Sequence, residues 1–411
     1  MQKKQVFWLL IAFTNLICIS GYSQTSGAII GQKKGNPIIT AVPFLTITPD
    51  ARAAGMGDAG VAIPTDANGS YWNPAKTVFN TYQFGAAVSY TPWLQKIVGD
   101  MNLAYLSTYR KWNKIHAFSA AMRYFDLGTM DFTNYTGGLI RSFNPREFTF
   151  ELNHAMLLSE RLSIGYNARY IHSNIAGTVS VNAIDARPGN TASVDLGVYF
   201  QNPEMTLGGL PTTVALGANL SNIGFKISYT DTRSRDFIPT NLRLGTAITS
   251  EFDEFNKLMF ALDVNKLLVP SPPIIGLDSL NRPVIVKGQD PRNKSLLSGM
   301  FGSFNDAPNG FSEELREFYF ATGVEYWYND IFAARGGYFY ENRYKGNRQY
   351  FTLGVGLRYQ KFGIDFAYLI ATQRQHPLED TLRFTLLFNL SKDESTSSKK
   401  TKKVKSDDIG I

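Results

Sequence analysis

From about residue 80 to residue 390 the chain alternates between bulky apolar side chains and small or polar ones. Phe351, Leu353, Val355, Leu357 and Tyr359 interleave with Thr352, Gly354, Gly356 and Arg358. Leu162, Ile164, Tyr166, Ala168 and Tyr170 interleave with Ser163, Gly165, Asn167 and Arg169. The same pattern sets Val214, Leu216, Ala218 and Leu220 against Ala215, Gly217, Asn219 and Ser221, and Leu382, Phe384, Leu386, Phe388 and Leu390 against Arg383, Thr385, Leu387 and Asn389. A period of two predicts β-strands. Fourteen are expected, at 82–90, 100–110, 114–125, 148–158, 162–174, 193–201, 212–221, 240–250, 257–266, 317–328, 331–341, 349–359, 362–371 and 381–390.

One face of these strands is large and greasy; the other carries Gly, Ser and Asn with isolated Arg and Asp. A water-soluble sandwich places its bulk inside and dense charge outside. Here the bias is inverted, as it is when lipid contacts the apolar face and the polar face lines a lumen. In lipid such a sheet must close, because an open edge leaves backbone groups unsatisfied. The connections agree. Those after even strands (111–113, 159–161, 202–211, 251–256, 329–330, 360–361) are six residues or fewer, except 202–211. Those after odd strands (91–99, 126–147, 175–192, 222–239, 267–316, 342–348, 372–380) are seven or more. Short periplasmic turns and long outer loops are the habit of outer-membrane barrels. The expected fold is therefore an all-β, 14-stranded antiparallel transmembrane barrel spanning 81–390, with both termini periplasmic.

Residues 1–23 read as a secretory signal, with Lys3 and Lys4 before the apolar run Val6 to Ile19 and small residues Gly21 and Ser23 before Gln24. Ile17 before Cys18 does not fit a lipoprotein site, and the single Cys leaves with the signal. Residues 24–80 form an N-terminal segment whose Gly- and Ala-rich stretch, broken by Pro49, Pro64 and Pro74, suits a hatch inside or under the barrel, the alternative being a periplasmic N-terminal arm. Lumen-facing Asp195, Asp263, Arg169, Arg358, Asp365 and Arg383 are expected to bond its backbone. Residues 391–411, with six Lys and four acids, read as a disordered periplasmic tail.

Of 411 residues, 44% are hydrophobic, 13% aromatic and 18% charged, with 35 Gly. The formal charge of +7 is too dispersed for a nucleic-acid binder. A mean hydropathy of −0.15 excludes a helical membrane protein. Gly55, Gly57 and Gly60 match G-x-G-x-x-G, but Pro64 follows closely and no βαβ context surrounds them, which argues against a dinucleotide site. His116, His154, His172 and His376 are scattered, and no zinc, P-loop or nucleophile-elbow motif is present, so no enzyme, metal or cofactor is expected. His154 is expected to pack in the lumen, and Trp112, Trp327 and Tyr328 in an interfacial girdle.

The run Pro49 to Ala62 (PDARAAGMGDAGVA) followed by Asp66 to Ala75 (DANGSYWNPA) resembles the N-terminal signature of the FadL-like barrels. In its specific form, through Asp50, Arg52, Gly55, Gly57, Asp58, Gly60, Asn73 and Pro74, it resembles the PorV family of type IX secretion. The resemblance implies a non-enzymatic protein that binds the C-terminal signal domain of cargo. It would carry cargo from a large translocon barrel (SprA/Sov-like) to a PorU-like surface sortase, and cap the translocon's lateral opening. Outer-membrane lipid is the other expected partner. The alternatives are a FadL-type transporter of fatty acids or other hydrophobic molecules, and a general porin.

Partner contacts are expected on the outer loops. The connection 267–316 is long enough to be functional, as a partner site, as a lid packed on its own barrel, or as both, and Leu296, Leu297, Met300, Phe301 and Phe304 stand at helical spacing in it, with Phe311 beyond. Phe132, Tyr135, Arg141, Phe143 and Arg146 form an aromatic-plus-Arg set of the kind that anchors interfaces, and Trp93 and Leu94 mark the first outer loop.

Overall fold

In the computed structural model the alternation becomes a wall with two chemistries. On one strand Leu353 stands 56% exposed on the outside while its neighbour Thr352, 2% exposed, faces in. Residues 35–94, 98–133, 136–175, 177, 179–181, 184–230, 235–373 and 378–392 are described. The expected signal segment and nearly all of the tail lie outside them. The architecture that follows is that of the unit beginning at Asn36.

Fourteen strands form one closed antiparallel barrel. They are β1 (Tyr82–Pro92), β2 (Asn102–Lys111), β3 (His116–Asp126), β4 (Arg146–Leu157), β5 (Leu162–Asn174), β6 (Gly189–Leu207) and β7 (Leu210–Gly224). The ring continues with β8 (Asn241–Glu251), β9 (Asn256–Leu267), β10 (Phe318–Tyr328), β11 (Phe332–Tyr340), β12 (Gln349–Tyr359), β13 (Phe362–Ala371) and β14 (Leu382–Lys392). Each strand pairs with its sequence neighbour, and β14 returns to β1 through pairs such as Phe84↔Leu390 and Tyr90↔Phe384. No edge is left for lipid to meet. All fourteen expected strands are present.

The long connection 202–211 is the main correction. β6 and β7 run on through it and turn at Gly208 (φ 59°) and Gly209 (φ 83°), a two-residue hairpin that needs positive φ at both positions. The turns at that end are then 112–115, 158–161, 208–209, 252–255, 329–331 and 360–361, none longer than four residues. At the opposite end the connections are long, and three carry small hairpins of their own: Met130–Thr133 with Leu139–Phe143, Val179–Val181 with Ile184–Ala186, and Ile274–Leu277 with Pro283–Lys287. β14 also reaches two residues into the expected tail.

The lumen is full. Short helical turns at Ala51–Ala54, Gly69–Trp72 and Pro74–Phe79 are buried, and Met56, Ala59, Ile63, Tyr71, Trp72 and Ala75 share a core with the inward faces of the barrel strands.

Candidate functional site: a filled lumen and an apolar outer rim

The segment before β1 is held by side chains pointing in from the wall. Asp50 begins it: one carboxylate oxygen accepts the Ala53 amide (2.9 Å), capping Ala51–Ala54, and the other accepts the Trp72 indole N–H (2.7 Å). Arg52 then donates both Nε (2.9 Å) and Nη2 (2.7 Å) to Glu325 on β10. Glu325 also accepts Arg335 of β11 (2.6 Å), Arg335 donates to Asp365 of β13 (2.7 Å), and Asp365 accepts Arg358 of β12 (2.8 Å). Five charges of alternating sign cross four strands. The Trp327 ring lies 5.5 Å from the Arg335 guanidinium and 5.3 Å from that of Arg358, so Trp327 belongs to this network and not to the girdle. Removing an inner member leaves its buried neighbours with one counter-charge fewer.

Backbone contacts complete the fastening. Asp263 accepts the amides of Gly60 (2.7 Å) and Val61 (2.9 Å), and Lys76 donates to the Gly60 carbonyl (2.7 Å). Asn73 donates to Val198 O (2.9 Å), Asn153 to Pro74 O (3.2 Å), Ser163 to Ala75 O (2.8 Å) and Asn219 to Trp72 O (2.9 Å). Tyr350 and Arg383 both donate to Asp58. Pro74 packs against Gly197. Burial raises the Asp50 carboxyl to about 6 and pushes the Lys76 ammonium down to about 8.

Of the lumen residues expected to bond this backbone, Asp263 does so directly and Arg383 reaches the Asp58 side chain. Asp195 and Arg169 instead pair with each other (2.7 Å), Arg169 with Glu151 (2.9 Å), and Asp195 accepts the Asn222 amide (2.7 Å). Arg358 and Asp365 act only through Arg335. Glu325 and Arg335, the centre of the network, were missed; their signal was a charge in the inward register of a strand between aromatic and small neighbours. Gly57 sits at φ +67°, and Gly55 packs against Gly354, so two glycines of the apparent dinucleotide motif serve close packing on the wall. The cavity between Trp72, Arg243 and Arg348 measures about 30 Å³, room for a water or two.

His154, expected to pack in the lumen, points outward, its Nε2 3.0 Å from His116 Nδ1, while its neighbour Asn153 faces the lumen. His376 and Tyr135 lie outside the described residues. Among the described residues no group of three or more His, Cys, Asp and Glu could hold a metal.

At the long-loop end, the connection after β9 folds back as a lid. The helix Leu296–Gly302 is capped by Ser295, buries Met300 and sets Gly299 against Phe237 and Pro270. A buried charge cluster ties it down. Lys266 meets Glu317 (2.6 Å) and Glu314 (3.3 Å), while Lys345 meets Glu313 (2.6 Å) and Glu317 (2.9 Å). Its other face is open: Leu297, Phe301, Phe304 and Phe311 are exposed, Phe301 to 74%. On the hairpin after β3, Arg141 lies 5.0 Å from the Phe132 ring and 5.3 Å from Phe143, and Leu139 and Ile140, which the sequence did not single out, stand exposed beside them. Arg146 is exposed at the start of β4. Trp93 and Leu94 pack inward on the cluster around Val42, Phe44 and Phe125. Half-buried there, they brace the N-terminal segment.

Residues 30–274 match the family described as Type IX secretion system protein PorV. The chain belongs to the PorV family. It is thereby a type IX secretion component of the outer membrane, in a family of barrels that are not enzymes. Among solved structures, this PorV family member is similar to the toluene transporter TodX of P. putida (10% identity, 84% of this chain, 99% of that one, TM-score 0.48). It is also similar to the toluene transporter TbuX of Ralstonia pickettii (10%, 84% and 98%, 0.42) and to a FadL homologue of Pseudomonas aeruginosa (10%, 86% and 99%, 0.43). No curated protein matches the chain.

Proposed function

We propose that this PorV family barrel moves proteins across its rim and passes nothing through its lumen. It receives the C-terminal signal domain of secreted cargo on the outer loops, hands the cargo to a surface sortase, and docks on the large translocon barrel to close its lateral opening. The long loops face outward and both termini face the periplasm. The residues before β1 serve as a permanent hatch. The observation that carries this reading is the contrast between the two ends of the design: a lumen fastened shut by buried ion pairs and backbone bonds, and a rim that leaves Leu297, Phe301, Phe304 and Phe311 in water. A transporter of hydrophobic molecules needs an open apolar passage, and here the segment before β1 fills the lumen, packed on the inward faces of the strands and fastened to them by ion pairs and hydrogen bonds.

Replacing Phe301 and Phe311 together with Asp tests it. Surface display of a cargo protein, and its co-purification with the barrel, should fall by about tenfold or more, as expected for aromatic anchors. Normal display by a variant that reaches the outer membrane at wild-type level would overturn the reading.

A further inference from the structure

The lipid-facing wall is not evenly clad. Across β11, β12 and β13 the outward row runs Tyr338, Phe351, Ile370 without a break. Across β2 to β6 it runs Thr108, Ala120, Leu152, Ala168, Val194, small residues alternating with larger ones. The result is an apolar groove of about 900 Å³, walled by Leu106, Phe150, Tyr170 and Phe225 and overhung by Leu296 from the lid.

The groove is shaped from inside. β7 carries one extra residue opposite β6: Val194 pairs with Ile223 but Leu196 with Leu220. Asn222 sits there at φ 59°, its amide donated to Asp195 (2.7 Å) and its side chain bonded by Arg169. A bulge of this kind bends the strand that carries it, and here the bend borders the groove. The Glu151–Arg169–Asp195 network, which makes no hydrogen bond or ion pair with the described part of the segment before β1, thus has a use: it holds the wall in the curve that makes the concavity.

The chemistry at the groove's end points to a lipid with an anionic head. Lys226 follows Phe225 directly, donates to the carbonyls of Pro291 (3.4 Å) and Arg292 (3.1 Å) beside Leu296, lies 4.1 Å from the Phe237 ring, and makes no ion pair among the described residues, although Asp236 and Asp290 stand near enough to act on it. Tyr170 and His172 meet at Asn190 at the same end of β5. We propose that the groove is a binding site for lipopolysaccharide, seating an acyl chain against Ala168 with a headgroup phosphate at Lys226. The outer-leaflet source rests on the orientation given above; the groove itself does not.

The test extracts the full-length protein from cells into polymer nanodiscs and counts retained lipid by native mass spectrometry. Wild type should keep lipopolysaccharide. Ala168→Trp, which fills the groove, should lower its retention about tenfold, the effect of excluding some two methylenes, and Lys226→Glu should lower it severalfold without filling anything. Val355→Trp on the opposite wall is the control for ordinary annular lipid and should match wild type. Heat-modifiable gel migration checks that every variant is folded. Equal retention in Ala168→Trp and wild type overturns the site, as does a second protein occupying the wall in place of lipid. Groove-dependent retention of phospholipid alone overturns the lipopolysaccharide source and marks the orientation as inverted, which protease access to the lid in whole cells reads independently. Cargo display is a separate assay, so failure of the secretion reading is not mistaken for failure here.

Discussion

Gly57 and Gly337 meet backbone to backbone. A Cβ on Gly337 would lie 2.0 Å from the Gly57 nitrogen, and one on Gly57 would lie 2.5 Å from the Tyr338 nitrogen. Neither obstacle is a side chain that can rotate away. Gly337→Val should therefore displace the inner segment from β11 at a cost of about 1–3 kcal/mol, the usual range for overpacking. Gly57→Ala adds the strain of a left-handed backbone to a similar clash. Urea unfolding of the detergent-solubilised barrel reads both; a midpoint unchanged in Gly337→Val would contradict the packing described.

Glu325 holds two arginines at once. Glu325→Ala should cost about 3–5 kcal/mol, because Arg52 and Arg335 are left buried with one counter-charge fewer. The double variant Arg52→Met with Glu325→Met should recover a good part of that loss. The double-mutant cycle measures the coupling, and additive single effects would show that the pair is independent.

The lid should loosen in acid. Burial pushes the Glu313 carboxyl up, but hydrogen bonds from Lys345 and the Asn309 amide outweigh it and leave the group below its ordinary value. A depressed folded pKa means stability that is present above the unfolded value of about 4.3 and lost as pH falls through the folded one. Hydrogen exchange in residues 294–316 should rise between pH 5 and pH 3, as protons replace Lys345 at the carboxylate. The strands β10 to β12 should stay protected over the same range.

Lys345→Met should imitate that acid state at neutral pH by removing the cation beside Glu313 and leaving Lys266 as the one cation on Glu317. Limited proteolysis within 276–310 should quicken while the barrel's unfolding midpoint stays within about 0.5 kcal/mol of wild type, since the lid lies outside the strand ladder. A coincident drop in both would mean that lid and barrel unfold as one unit.

The strands were legible because the bilayer imposes one rule on every one of them: apolar outward, small or polar inward. Where that rule stops, so did the reading. β6 and β7 continue to Leu207 and Leu210 after the alternation of Leu196, Val198 and Phe200 gives way to Asn202, Pro203 and Glu204, and only the Gly208–Gly209 turn marks the hairpin. The hairpins beyond the barrel, such as Ile274–Leu277 with Pro283–Lys287, answer to no such rule. Within the lumen, the glycines at 165, 197, 337 and 354 announced close packing but not its partner. Glu325 and Arg335 escaped notice because a single charge per strand becomes a network only when four strands are set side by side. The packing of Trp93 on Val42 and Phe44 was not legible, because aromatic bulk on a loop carries no mark of which way it turns.

Thr385 sits where the first and last strands of the barrel are sewn together. Its hydroxyl lies 2.8 Å from Ser89 of β1 and accepts the Ala51 amide at 2.9 Å. The last strand to be synthesised therefore finishes two tasks with one side chain: it seals the cylinder and grips what the cylinder contains. The strand that shuts the ring serves as its own inspection, since a misplaced interior denies Thr385 one of its two partners.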